Sequence, residues 1–211
     1  MANLVLGAGG AAAEDYTIDQ SLRFNKGDSA YLTRTPSSAS NQKTWTFSFW
    51  TKLDVGVADE PGQQFLDVGT SSSAETRFAL GGTMAYSYFE FKANAGANTI
   101  ETTAMFRDPS AWYHIVLAVD TTQSTDTDRA KLYVNGEQIT VFTLTGYPVE
   151  DADLQVNSTM QHNIGRLERG DQHFLNSYLA EYYLIDGLQL TPASFGETDT
   201  TTNQWKPIDA S

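Results

Sequence analysis

The sequence predicts an all-β protein, a two-sheet antiparallel sandwich of jelly-roll type, on three observations. Short β-prone runs follow one another from Tyr16 onward, broken by clusters of Gly, Pro, Asn, Asp and Ser, and no long stretch keeps a helical period. The clearest runs alternate apolar and polar residues with a period of two, which sends successive side chains to opposite faces of a sheet. Asn135-Gly136 lies between two such runs, and this dipeptide tolerates the positive φ angles of a type I′ turn, whose twist matches that of paired strands. The chain of 211 residues is long enough to bury a core as one domain, and with no cysteine its stability must come from packing.

Residues 1–15 are expected to form a flexible arm and residues 16–211 the sandwich. After Leu4-Val5-Leu6 the arm holds only Gly and Ala up to Ala13, with no side chain large enough to pack. Gly7-Ala8-Gly9-Gly10-Ala11-Ala12 formally matches a dinucleotide-binding turn, but that turn must open a helix, and Glu14-Asp15-Tyr16-Thr17-Ile18 runs straight into strand-like sequence. The first strand is placed at Ser29–Arg34. In Thr44–Leu53, Trp45, Phe47, Phe49 and Leu53 point one way and Thr46, Ser48, Trp50 and Lys52 the other. Strands follow at 64–68, 77–80, 85–92 and 99–106. Trp112–Asp120 repeats the alternation, with Tyr113, Ile115, Leu117 and Val119 against Trp112, His114, Val116 and Ala118, and its second face is also rather apolar. The hairpin spans 130–141, and further strands are expected at 162–166 and 178–186. One helical turn is expected, after Thr191-Pro192, where threonine can cap and proline can take the first helical position.

Composition limits the partners. Acidic residues outnumber basic ones 26 to 13, a net charge of −13 that repels a phosphate backbone, so no nucleic-acid partner is expected. The longest strong apolar run, Ile115–Val119, is far short of a membrane span, and no membrane insertion is expected. The amino terminus lacks the basic leader and long apolar heart of an export signal.

Every catalytic arrangement that the residue types allow lacks a part. Gly27-Asp28-Ser29 has the look of an esterase nucleophile block, but no Asp-x-x-His follows to supply a base, and a turn between strands explains it better. His114, His162 and His173 form no zinc-binding His-Glu-x-x-His, and His114 is expected to be a strand residue satisfied by backbone or water. Glycoside hydrolysis needs two close carboxylates, and Tyr178–Asp186 offers a single glutamate, Glu181. No catalytic residue and no cofactor is expected. Calcium is the ion for which Asp120, Asp126, Asp128 and the Glu150-Asp151-Ala152-Asp153 run offer oxygens, although neither run continues as an EF-hand loop and solubilising surface loops explain them better. Aromatic residues make up 12% of the chain, and Trp50, Tyr86 and Tyr88 are candidates to stack on sugar rings, with core packing as the plain alternative. Asn157-Ser158-Thr159 is a glycosylation sequon, taken as coincidence.

The ordered set Ser21-Leu-Arg-Phe24, Asp28-Ser-Ala-Tyr-Leu32, Thr46-Phe-Ser-Phe-Trp50-Thr-Lys52, Trp112-Tyr-His-Ile-Val116, Lys131-Leu-Tyr-Val-Asn-Gly136 and Leu179–Leu190 resembles a laminin-G-like, concanavalin A-like jelly roll from about Tyr16 to Gly196. The wording of Tyr16–Asn25, Arg107–His114 and Leu190–Asp199 resembles the subfamily found in structural proteins of tailed bacteriophages. That resemblance implies a virion surface role, with assembly in the host cytoplasm. Relatives commonly continue beyond the Trp205–Pro207 region, so the chain reads as a short member or as one whose end is incomplete. The expectation is a non-enzymatic capsid decoration or head-fibre module, attached to other virion proteins through Leu4, Val5 and Leu6 and assembled as a homo-oligomer, a trimer suiting a symmetric shell. The alternative is a tail-fibre, receptor-binding protein that engages host glycans through Trp50 and Tyr88.

Overall fold

The computed structural model describes residues 16–54, 62–71, 74–82, 86–94, 98–170 and 173–210. The strands are β1 (Leu22–Phe24), β2 (Leu32–Arg34), β3 (Thr44–Leu53), β4 (Gln63–Ser71), β5 (Ala74–Gly81), β6 (Tyr88–Ala93), β7 (Thr99–Thr102), β8 (Trp112–Asp120), β9 (Ala130–Val134), β10 (Glu137–Ile139), β11 (Phe142–Thr145), β12 (His162–Ile164), β13 (Ser177–Asp186), β14 (Gly196–Thr198) and β15 (Trp205–Pro207), with a short helix α1 (Asp126–Arg129) before β9. Six strands form one sheet in the order β1-β13-β3-β8-β9-β10, and seven form the other in the order β11-β7-β6-β5-β4-β12-β2. Pairing is antiparallel in both, and β14 with β15 makes a separate hairpin. The all-β sandwich predicted from the alternation is the fold observed. No helix among the described residues is long and apolar enough to cross a membrane.

The core lies between the sheets. Trp45, Phe47 and Phe49 of β3 stand in register with Val119, Leu117 and Ile115 of β8, and all six are fully buried. The seven-stranded sheet answers with Phe65, Phe78, Phe89 and Phe91. Rings meet edge to face across the layers, Phe47 on Phe78 at 6.1 Å and 78° and Trp45 on Phe91 at 6.1 Å and 77°, an arrangement that their quadrupoles favour. Removing one such ring costs about 3–5 kcal/mol, which is why the strict alternation of β3 specifies its pairing.

Several boundaries differ from expectation for identifiable reasons. The run at 29–34 pairs only over β2, because Asn25 accepts a hydrogen bond from Gly27 N and Lys26–Asp28 winds into a single 3-10 turn that ends at Ser29 with φ +52°. This is the turn expected at Gly27-Asp28-Ser29. The run at 99–106 stops at Thr102, whose hydroxyl accepts from Phe89 N and donates to Ala104 O, turning the chain off the ladder. The Asn135-Gly136 hairpin is present, with φ +50° and +85° between β9 and β10. Pro192–Ser194 is a 3-10 turn as expected, but Thr191 makes no side-chain cap, and it is not the one helical turn, since α1 and Lys26–Asp28 are others. The strands β1, β11, β14 and β15 had no alternation long enough to be read.

Candidate functional site

Alternation in β3 and β8 turns Ser48, Trp50 and His114 away from the core, where a bare sheet would leave them in water. They are 1%, 7% and 1% exposed. The cover is the β14–β15 hairpin with its flanks. Trp205 stacks on the His114 ring at 5.9 Å and 19°, and Trp50 stacks on it at 4.9 Å and 26°. Phe195 approaches at 6.3 Å and stacks in turn on Tyr183. Gly136 and Gly196 make the approach of Trp205 feasible, since a Cβ on either would lie about 2.5–2.6 Å from its ring. The tight turn of the β9–β10 hairpin therefore also serves as a seat for the carboxy-terminal segment.

Trp205 Nε1 donates to His114 Nδ1 at 2.9 Å, and Ser48 Oγ lies 3.0 Å from His114 Nε2. An indole can only donate, so the imidazole proton sits on Nε2 and is given to Ser48 Oγ. A serine nucleophile needs the reverse, a bare Nε2 to take its proton, with a carboxylate on the other nitrogen. Burial pushes His114 down to about 4, which keeps the ring neutral. The partners are thus two side chains rather than the backbone or water expected, and the group is a structural lock.

Beside this column the β13 ladder slips. Ala180 pairs with Trp50 and Tyr183 with Ser48, so Glu181 and Tyr182 together oppose Phe49, and Glu181 adopts φ +47°. The extra residue reverses the pleat. Tyr182 turns into the sandwich, where its hydroxyl donates to Phe65 O at 3.0 Å, while Glu181 stays outside and accepts from Tyr16 at 2.9 Å and from Tyr183. The hydrogen bond to Glu181 is the main cause that raises Tyr16, whereas Tyr183 is raised first by burial and then by the same carboxylate. Each carboxylate oxygen of Glu181 thus has a phenol partner. The hollow between Ser48, His114, Glu181 and Phe195 has no room for a water molecule.

Where the hairpin's cover ends, the extended segment Tyr16–Ser21 runs beside Trp50 and Trp112 and encloses with Pro207 an open cleft of about 370 Å³. Trp112 is 37% exposed and presents an aromatic surface to it. Thr17, Asp19, Gln20 and Ser21 supply the polar rim. Such a combination of aromatic floor and few polar groups suits binding of a ligand with both C–H and hydroxyl faces.

Trp50 lies in this cleft, but Tyr88 does not. Tyr88 belongs to β6 of the seven-stranded sheet, its ring against Gly81, so the two sugar-stacking candidates stand on different sheets. Tyr86, 62% exposed, precedes β6. Leu4, Val5 and Leu6 lie outside the described residues. Trp112 was legible as an outward residue of β8, whereas Tyr16 and Trp205 carried no signal, being brought in by segments without periodicity. The acidic runs do not converge. Asp128 pairs with Lys131 at 2.9 Å, Glu150 with Arg129 at 3.2 Å and Asp151 with Lys43 at 3.3 Å. Burial raises Asp120, but hydrogen bonds from Thr122, Gln123 and Thr44 outweigh it and hold the carboxyl below its ordinary range. No group of three or more His, Cys, Asp or Glu side chains suited to a metal occurs among the described residues. Asn157 of the sequon is 8% exposed and donates to Asn41 O and Asp186, which leaves its amide occupied.

A laminin-G-type family model, described as the concanavalin A-like lectin/glucanases superfamily, matches residues 25–194. The chain belongs to that superfamily. Among solved structures, this concanavalin A-like domain is similar to tailspike protein 2 of the Escherichia coli O157:H7 bacteriophage CAB120, with a TM-score of 0.55, 11% identity, and coverage of 83% of this chain and 23% of the tailspike. It is similar to the binding domain of botulinum neurotoxin serotype D, with a TM-score of 0.53, 11% identity, and coverage of 87% and 43%. At these identities the likeness shows a shared fold, and the chain spans less than half the length of either protein. No curated protein matches the sequence.

Proposed function

We propose that the chain is a non-catalytic saccharide-binding module of a tailed-phage surface protein, and that the cleft between Tyr16–Ser21, Trp50 and Trp112 holds the sugar. The observation that carries this is the aromatic floor of the cleft, a 37%-exposed Trp112 beside Trp50 beneath a polar rim. A pyranose offers an apolar C–H face to such a ring and hydroxyls to the rim. The non-catalytic part is supported by the tautomer of His114 and by the two phenols on Glu181. The phage setting draws support from the wording of the Tyr16–Asn25 and Arg107–His114 blocks and from the fold shared with a phage tailspike. Attachment to the particle falls to Leu4, Val5 and Leu6, and deletion of residues 1–13 should release the domain from particles while its melting temperature is unchanged.

A glycan microarray probed with the full chain and with Trp112→Ala tests the binding site. Retention of a defined saccharide set by the wild type and its loss in Trp112→Ala, with melting within the range of an exposed substitution, about 0.5 kcal/mol, is the expected result. Saccharide binding indifferent to Trp112→Ala, or no saccharide retained, overturns it.

A further inference from the structure

The strand registers line up four side chains across the same outer face. Arg23 of β1 pairs with Tyr178 of β13, Tyr178 with Lys52 of β3, and Lys52 with Trp112 of β8. Adjacent strands lie about 4.8 Å apart, so Tyr178 and Trp112 stand roughly 10 Å from each other with Lys52 between them. Both rings are open to solvent, at 40% and 37%. The row also joins two hollows, the 370 Å³ cleft on the Trp112 side and one of about 330 Å³ lined by Arg23, Lys52, Asp54, Pro109, Ser110 and Tyr178 on the other, where the Asp54 carboxylate is taken up by Arg23 at 2.6 Å.

The two cations of this row differ. Arg23 is committed: it reaches Asp54 at 2.6 Å and Asn176 Oδ1 at 3.0 Å, donates to Phe24 O, and lies over the Tyr178 ring at 5.1 Å. The Lys52 ammonium makes no hydrogen bond or ion pair among the described residues. The acid that feels its charge is Asp108, whose carboxyl is held below its ordinary range chiefly by the hydroxyl and backbone N–H of Ser110, with Lys52 a smaller cause. Elsewhere the rule is pairing, as with Lys92 and Glu75 at 2.7 Å, Lys131 and Asp128 at 2.9 Å, and Lys43 and Asp151 at 3.3 Å. Among the described residues no carboxylate comes within ion-pair distance of the Lys52 ammonium, in a chain with twice as many acids as bases.

From this row we infer that the saccharide is acidic, its anionic group received by Lys52 while its rings lie on Trp112 and Tyr178. The inference rests on the saccharide reading of the same face and adds the class of sugar. A lysine ammonium is a compact point charge that takes a carboxylate or sulfate without demanding bidentate geometry. Flanking rings exclude water from one side of that contact and supply what an ammonium cannot, a platform for C–H faces. The rival account is that the Lys52 stem merely covers apolar surface while its charge stays in water, in which case no ligand would sense its removal.

The test is the same full chain on a microarray that carries carboxylated and sulfated saccharides beside their neutral counterparts, with Lys52→Gln, Tyr178→Ala and Trp112→Ala compared. Acidic saccharides should dominate the wild-type set, and Lys52→Gln should weaken them about tenfold or more, in line with loss of one charge-assisted contact, without changing melting. The carboxylated and sulfated arms identify which anion is taken. Neutral saccharides retained equally well, or acidic ones unaffected by Lys52→Gln, overturn the inference while the saccharide site stands through Trp112→Ala. No retention at all, in every arm, overturns both.

Discussion

The two sheets turn opposite kinds of surface outward, and both surfaces are roofed. Over the six-stranded sheet the roof is the β14–β15 hairpin, held by rings, with Trp205, His114 and Trp50 in one stack. Over the seven-stranded sheet the outward side chains of β4, β5 and β6 are charged. Glu75, 1% exposed, receives Lys92 at 2.7 Å with Arg77 and Arg169 at 3.6 and 3.7 Å, and Arg77 pairs with Glu90 at 2.6 Å. Asp67 is fully buried beside them, one oxygen taking Glu168 N at 3.1 Å and the other without a hydrogen bond. The difference teaches why the candidate site lies where it does. Ion pairs satisfy one another and close the charged face, whereas the aromatic face leaves Trp112, outside the stack, 37% exposed at the margin of its cover.

The largest effect should come from breaking the charged face. Glu75→Ala leaves Lys92 and Arg77 without their shared buried carboxylate, and the expected loss is about 3–5 kcal/mol in urea denaturation. Replacing Glu75 and Lys92 together by methionine should recover most of it, because the desolvation cost of the pair disappears with the pair. A double variant as unstable as the single would mean that this face is held by geometry rather than by charge. The aromatic face should respond less. Trp205 is only partly buried, so Trp205→Ala should cost about 3 kcal/mol, at the low end for a large ring. Amides of 192–207 should lose hydrogen-exchange protection while those of β3 and β8 keep theirs. Uniform loss across the sandwich would show that the hairpin is integral to the core rather than a lid upon it.

The same contrast explains what was legible in the sequence. The inward faces of β3 and β8 could be read because Trp45, Phe47, Phe49 and Leu53 follow a strict period of two, and the turn at Asn135-Gly136 because its backbone demands those residues. Outward residues were legible only up to direction. Nothing local to His114 announces a partner 91 residues away, and Ser48 becomes its neighbour only through the β3–β8 register. Glu181 was singled out in a strand, but the bulge that turns Tyr182 inward and Glu181 outward breaks the very alternation by which strands are recognised. Asp67 falls within the expected strand at 64–68 and Glu75 outside every expected strand, and nothing in the sequence marks either as buried, since burial of a charged side chain depends on what packs over it. The sugar candidates illustrate the limit: Trp50 and Tyr88 are both rings on strand-like runs, and alternation does not say which sheet a strand joins.

The pH dependence separates the two faces most finely, because they titrate with opposite signs in one pH window. Burial pushes Asp67 up to about 7, with the nearby Glu75 adding to it, so between its ordinary value of 3.8 and about 7 the folded chain keeps a proton that the unfolded chain has released. Stability from that group is complete below 3.8 and falls with rising pH, by about 1.4 kcal/mol per unit across the window. Burial pushes His114 down to about 4, so between 4 and its ordinary value of 6.5 the unfolded chain holds a proton that the folded chain lacks. Its contribution is complete above 6.5 and is lost as pH falls through 4, the same slope with the opposite sign. His162 and His173, both lowered by burial first, act in the direction of His114. From pH 4 to 6.5 the contributions of Asp67 and His114 therefore offset each other, and His162 and His173 leave the wild type with a net rise in stability as pH increases. Asp67→Asn removes the falling limb, and its stability should climb with pH by about 1.4 kcal/mol per unit more than the wild type over that interval. His114→Gln should tilt the profile the other way. Slopes that coincide for wild type and Asp67→Asn would show that the roof of the seven-stranded sheet lets water reach Asp67, and the two faces would then differ in composition but not in how tightly they are sealed.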